Sequence, residues 1–353
     1  MIRTSDSVPR ATDAKNEAEN PDSTTLPGAV AGRHRSAGDR VVDLLRSGSL
    51  AVPVGLVGLA VLFSALRPDT FGTSANFQSL LTTQAVLVIL AFGLTVLSAA
   101  GEFDLSAAAV LGLSAGVVAS LTTKHDMNVL LAVLIAVGLA AAVGLVNAMF
   151  VVGFGVDSLV TTLGMGTVVT GIALGTVGPT TIGGLPESVT KFGQTQIGGI
   201  GIPFFYALGL LAVGWFLLQR TATGRHIYFV GEAQTAARLV GLKVDKIRVG
   251  AFLTASVGAG VAGVILVAQT GAASTSYGGP YLLPAYAATF LGATVHRGRF
   301  GVVGTFLAVY LLTVGTQGLQ MLGSPDWVTQ VFSGGVLVIA VTVAKLSRRS
   351  GGR

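Results

Sequence analysis

The sequence predicts an all-α polytopic membrane protein with about ten transmembrane helices and both termini in the cytoplasm. Three observations lead there. Of 353 residues, 51% are hydrophobic and only 11% are charged, whereas a soluble domain gives about a quarter of its residues to charge. Apolar stretches long enough to cross a bilayer, about 20 residues each, recur along most of the chain. The 49 glycines suit membrane helices, in which small residues let backbones approach closely.

Residues 1–47 open the chain as a polar segment of mixed charge, expected to be a disordered cytoplasmic tail. No apolar core follows its first basic residues, so it does not read as a signal peptide. A membrane domain is expected over 48–345, with spans near 48–66, 78–100, 104–122, 128–153, 157–177, 203–219, 248–270, 281–295, 300–322 and 327–345. The eighth contains Pro284 just after Gly278-Gly279-Pro280, which predicts a broken or re-entrant helix there. Residues 346–353 form a basic tail.

Ten spans with the N-terminus inside place all but three of the 22 Lys and Arg residues on the cytoplasmic side; Arg67, Lys124 and Lys191 fall outside. This obeys the positive-inside rule and explains the pI near 9.8 without a nucleic-acid partner. The longest interior loop, 220–247, holds Glu232 to Gly241, helix formers bounded by a glycine suited to a C-cap. A short basic helix there could dock on another protein or lie against anionic lipid headgroups.

Several chemistries find no support. Cysteine is absent, which removes thiolate nucleophiles and Cys-based zinc sites. The four histidines (His34, His125, His226, His296) are scattered, outside any HExxH pattern, and build no catalytic triad. Neither metal nor cofactor is implied, and no enzymatic role is expected. Gly258-Ala-Gly260-Val-Ala-Gly263 matches GxGxxG but lies inside an apolar run, where close helix packing explains it better than a dinucleotide site. No GxxxxGK[ST] motif occurs, so any ATPase must be another chain.

Ionisable residues in or beside the spans are few: Glu102 and Asp104 between the second and third, and Asp157 at the start of the fifth. Both aspartates precede helices and suit N-caps; a proton relay would use the same residue type. Neutral polar residues within the spans, Gln84, Asn147, Thr161, Thr162 and Gln269, could line a path for an uncharged hydrophilic solute. They could equally bond helix to helix, worth about 0.6 kcal/mol each.

Taken in order, four stretches resemble the permease subunits of ribose-type sugar ABC importers. Gly101-Glu-Phe-Asp-Leu-Ser106 is similar to the family's Gly-Gly-x-Asp-Leu-Ser element, and Gly144-Leu-Val-Asn-Ala148 to its Asn-Gly stretch. Ser158-Leu-Val-Thr-Thr-Leu-Gly164 follows, then the closest match, Gly224-Arg-His-Ile-Tyr-Phe-Val-Gly231 with Ala236-Ala-Arg-Leu-Val-Gly-Leu-Lys-Val244. The resemblance spans about 48–345 and implies a dimer of permeases, two ATPase domains and an extracytoplasmic solute-binding protein. It implies ATPase coupling through Gly224, Arg225, Glu232, Ala236, Ala237, Arg238 and Gly241. It also implies a central path, for which Gln84, Asp104, Asn147, Thr162, Tyr277 and Tyr281 are the candidate lining. Glu102 stands where the family often has Gly, Glu232-Ala233 where it often has Gly-Asn, and Ala148 where Gly is common; Leu291 to Gly298 is a looser version of a glycine-rich stretch. A permease for branched-chain amino acids is the near alternative, and a secondary carrier independent of any ATPase the distant one.

Overall fold

In the computed structural model the described residues are 50–295 and 298–350, without the side chains of 344–350. The expected tail 1–47 therefore lies outside them, as do 351–353. The described chain is almost wholly helical. In order it forms α1 (Ala51–Leu66), α2 (Ser74–Thr83), α3 (Ala85–Ala99), α4 (Ala107–Lys124), α5 (Val129–Ala148) and α6 (Ser158–Thr176). A short α7 (Glu187–Gln194) and a two-residue hairpin, β1 (Gln196–Ile197) with β2 (Ile200–Gly201), precede α8 (Ile202–Arg220). Then come α9 (Ala222–Glu232), α10 (Gln234–Leu239), α11 (Val244–Thr270), α12 (Gly279–Val295), α13 (Val302–Met321) and α14 (Asp326–Ser350).

Seven of these helices are long and apolar enough to cross a membrane, and the bent pair α2–α3 makes up to eight. The chain is thus an all-α polytopic membrane protein. All ten expected segments are helical, but α1 and α12, at 16 and 17 residues, fall short of full spanning length.

Helix α11 occupies the centre and packs along α3, α4 and α5. Its small residues make this possible: Gly263 sits so tightly on the Leu111 carbonyl of α4, and Gly260 on Ala140 of α5, that neither site has room for a Cβ. The glycine motif is therefore a packing surface. Helices α12, α13, α14 and α1 form the other flank. Of α11's apolar window 72% is buried, against 17% for α6, so α6 lies on the perimeter of the single chain.

The structure moves the expected helix break. α12 runs unbroken through Pro284; this proline lies in the second turn, and the carbonyl that its missing N–H would have met belongs to Pro280, beside a small cavity. The break falls instead at Gln84, where α2 and α3 meet at 42°. The C-terminal helix continues to Ser350, past the expected start of the basic tail.

Candidate functional site

The loop joining α3 to α4, residues 100–106, is the most polar place in the bundle interior. It begins with a glycine stop. Gly101 adopts φ +86°; its N–H bonds to the Ser98 carbonyl at 3.1 Å and the N–H of Glu102 to Leu97 at 3.2 Å, the paired bonds of a Schellman motif. α10 ends in the same way at Gly241, φ +81°, with Gly241 bonded to Arg238 and Leu242 to Ala237, both at 3.0 Å.

Beyond Gly101 the chain turns inward, and its backbone is met by side chains from distant helices. The Phe103 N–H donates to Ser158 Oγ at 3.3 Å, and the Leu105 N–H to Thr162 Oγ1 at 3.0 Å, both from α6. The Asp104 N–H donates to Tyr286 Oη of α12 at 2.8 Å. The fully buried Asp104 carboxylate accepts from the Ser106 N–H at 2.8 Å and from its hydroxyl at 2.5 Å. Its other oxygen lies 3.5 Å from Ser256 Oγ of α11. Asn147 of α5 donates through Nδ2 to Ser106 Oγ at 2.9 Å, and its amide oxygen is buried without a hydrogen-bond partner. Asp104 is therefore not the expected N-cap: Ser106 holds that position, and Asp104, two residues earlier, fixes Ser106 while joining the start of α4 to α11 and α12. Asp157 is a plain N-cap, accepting from Leu159 and Val160.

Two residues before Asp104 the loop faces a different set of partners. Glu102 pairs with Arg248 in the first turns of α11 at 2.6 Å, with side chains 6% and 12% exposed, so the pair is held largely away from water. Gln234, the first residue of α10, reaches the same Glu102 oxygen at 3.4 Å. Gly231 of α9 rests directly on the Ala99 carbonyl, leaving no space for a Cβ. A second anchor fixes α9: Tyr228 donates its hydroxyl to the Phe300 carbonyl at 2.5 Å. Burial pushes the Tyr228 phenol above its usual range, against the lowering pull of Arg299, so this donor stays protonated at neutral pH. The α9–α10 pair is therefore braced against the loop that starts α4.

Its outer side differs. Ala237 is buried against Val230 and Val244, while Leu239 and Val240 are 84% and 67% exposed. Arg238 pairs with Asp245 at 2.5 Å and Glu232 with Arg299 at 3.6 Å, so two of the three expected coupling charges are engaged within the chain. Gly224 is buried at the α8–α9 corner, Arg225 is exposed and Ala236 half-buried.

The expected path residues separate into three places. Asp104, Asn147 and Thr162 share the buried loop network. Gln84 and Tyr281 meet at a cavity of about 190 Å³ between the α2–α3 break and α12–α14, with Thr313, Thr316 and Ser333. Tyr277 packs against the core, but its neighbours Thr275 and Ser276 line a groove of about 570 Å³ with Thr167 and Thr170 of α6 and Ala108 of α4. Sequence reasoning passed over Thr167 and Thr170, although Gly164, Thr167 and Gly171 form a small-residue stripe at helical spacing. It also passed over Ser256, Tyr286 and Arg248 as partners, for which the sequence holds no local signal.

The family described as "branched-chain amino acid transport system / permease component" matches residues 76–341. The autoinducer 2 import system permease protein LsrD of Photorhabdus temperata is 30% identical over 305 residues, covering 84% of this chain and 91% of that protein. The protein of the same name from Yersinia pseudotuberculosis serotype O:1b (strain IP 31758) is 31% identical over 266 residues, covering 73% of this chain and 80% of its own length. No solved structure matches the chain.

Proposed function

Because this chain belongs to the branched-chain amino acid transport system / permease family, we propose that it is the membrane-spanning permease subunit of an ATP-binding cassette importer in the bacterial cytoplasmic membrane, passing a monosaccharide-like polar solute inward. ATP hydrolysis falls to a separate ATPase chain, and delivery to an extracytoplasmic binding protein. A second permease copy completes the path.

The observation that carries this reading is the brace between α9–α10 and the loop 100–106. The ATPase docks on the exposed Leu239–Val240 end of α10, on the cytoplasmic side. A push there passes through Gln234, Glu102 and Gly231 to the loop. The same loop starts α4, whose Ala108 and Ala109 line the hydroxyl-bearing groove, and grips α6 through Ser158 and Thr162. Movement of the cytoplasmic helices thereby reaches both walls of the path, and the permease needs no catalytic side chain.

The groove supports a neutral, hydroxyl-rich cargo: its polar lining is Thr167, Thr170, Thr275 and Ser276, without a charged side chain. An amino acid would bring two charges into it with no counter-charge, a desolvation that costs far more than a hydroxyl's. Autoinducer 2, named in the relatives above, is one cargo to assay first.

Replacing Leu239 and Val240 together by Asp tests the docking. The expected result is at least a tenfold loss of co-purified ATPase, with the permease still eluting as a folded species. Full retention of the ATPase would overturn the assignment of this surface. Arg238→Glu is a weaker probe, since it also breaks the pair with Asp245.

A further inference from the structure

A crevice of about 530 Å³ between α9 and α11 belongs neither to the brace nor to the groove. Its walls include Val96 near the end of α3, His226 of α9, Lys243 in the turn before α11, and Lys246, Ala251 and Thr254 of α11. The chemistry divides along α11. Both lysines stand at the helix start and share this end of the crevice with His226, while the other end is apolar apart from one hydroxyl. From Lys246 to Thr254 the helix rises about 12 Å, more than the ~5–8 Å depth of one headgroup layer. The crevice therefore runs from headgroup level into the hydrocarbon.

Its positive charge is uncompensated. The acidic side chains on the surrounding elements are engaged with arginines: Glu102 with Arg248, Asp245 with Arg238, and Glu232 with Arg299. Among the described residues none pairs with Lys243 or Lys246. We propose that this crevice binds an anionic phospholipid of the cytoplasmic leaflet, with its phosphate against Lys243, Lys246 and His226 and one acyl chain along Ala251 and Thr254. Basic pockets between membrane helices on the cytoplasmic side suit such headgroups. The inference rests on the membrane orientation adopted above, but on neither the cargo nor the ATPase.

Native mass spectrometry of the purified permease, titrated with dioleoyl phosphatidylglycerol or dioleoyl phosphatidylcholine, tests it. The wild type is expected to bind the anionic lipid about tenfold more tightly than the neutral one. Lys243→Gln with Lys246→Gln should abolish that preference, Lys243→Arg with Lys246→Arg should keep it, and Lys124→Gln at the opposite end should leave it unchanged. Equal binding of both lipids by the wild type, or an unchanged preference in the glutamine pair, would overturn the proposal. So would displacement of the lipid by millimolar inorganic phosphate, which would mark a site for free anions. The readout needs no ATP and no transport, so it holds its meaning even if ATP-driven import fails to appear.

Discussion

Glu102 shows how one side chain can join two regions that the sequence keeps far apart. Its partner Arg248 lies 146 positions away and its second contact, Gln234, 132. Removing one member of a largely buried ion pair leaves the other charge without compensation, at about 3–5 kcal/mol, whereas removing both is often near neutral. Glu102→Ala and Arg248→Met should each lower the thermal unfolding temperature in detergent, and the double variant should be no worse than either. Additive losses in that cycle would show the pair to be energetically idle. The position was visible in the sequence as a departure from the family's usual Gly, but its partner was not. Pairing across 146 residues leaves no periodic trace, and a carboxylate beside a helix start reads first as a cap. The Asp104 network was legible only in part, for the same reason: Asp104, Asn147 and Thr162 could be singled out as polar residues in apolar surroundings, but not joined to Ser256 and Tyr286.

Among the helices, α9 carries the argument, because Gly231 sets how closely it lies on the end of α3. Gly231→Val forces the two apart, an overpacking that costs about 1–3 kcal/mol. Its expected signature is uptake falling more than tenfold while ATPase co-purification stays near the wild-type level, since Leu239 and Val240 remain exposed on the other side. Wild-type uptake in this variant would mean that the contact transmits nothing. The spans themselves were readable from hydropathy: α5, α6, α8 and α13 begin and end within about two residues of expectation, allowing the π-helical turn Met149–Gly153 to extend α5. The break was misplaced because Pro284 advertises one, and an early-turn proline is absorbed. Gln84, following Thr82 and Thr83 in a segment that is otherwise apolar on its C-terminal side, gives little sign of a 42° bend. The loop 177–201 hid α7 and the hairpin, whose Gln194 and Gly201 tie down to Gln269 and Thr82.

For the assembled bundle, the question is which surfaces meet water. Helix α6 lies on the perimeter yet turns Thr167, Thr170 and Gly171 toward the groove, an unusual face to offer lipid. In a dimer whose path lies between copies, that face becomes the wall of the path. The absence of cysteine makes the test direct. Thr167→Cys and Thr170→Cys should react with a membrane-impermeant maleimide, while Val54→Cys and Val61→Cys on the exposed side of α1 should not. Equal protection at all four positions would place α6 in lipid and move the path elsewhere.

The loop from Ala100 to Ser106 also bears on how the protein is made. Its backbone, its Ser106 hydroxyl and its carboxylate are met by groups that leave the ribosome in sequence: Asn147, Ser158, Thr162, then Ser256, and last Tyr286. Hydrocarbon offers no substitute partners. Until some 180 further residues have been synthesised, this stretch remains best placed at the aqueous boundary of the insertion machinery, with α3 and α4 on either side. The native bundle can therefore close around it only after Tyr286, some four-fifths of the way along the chain, has arrived.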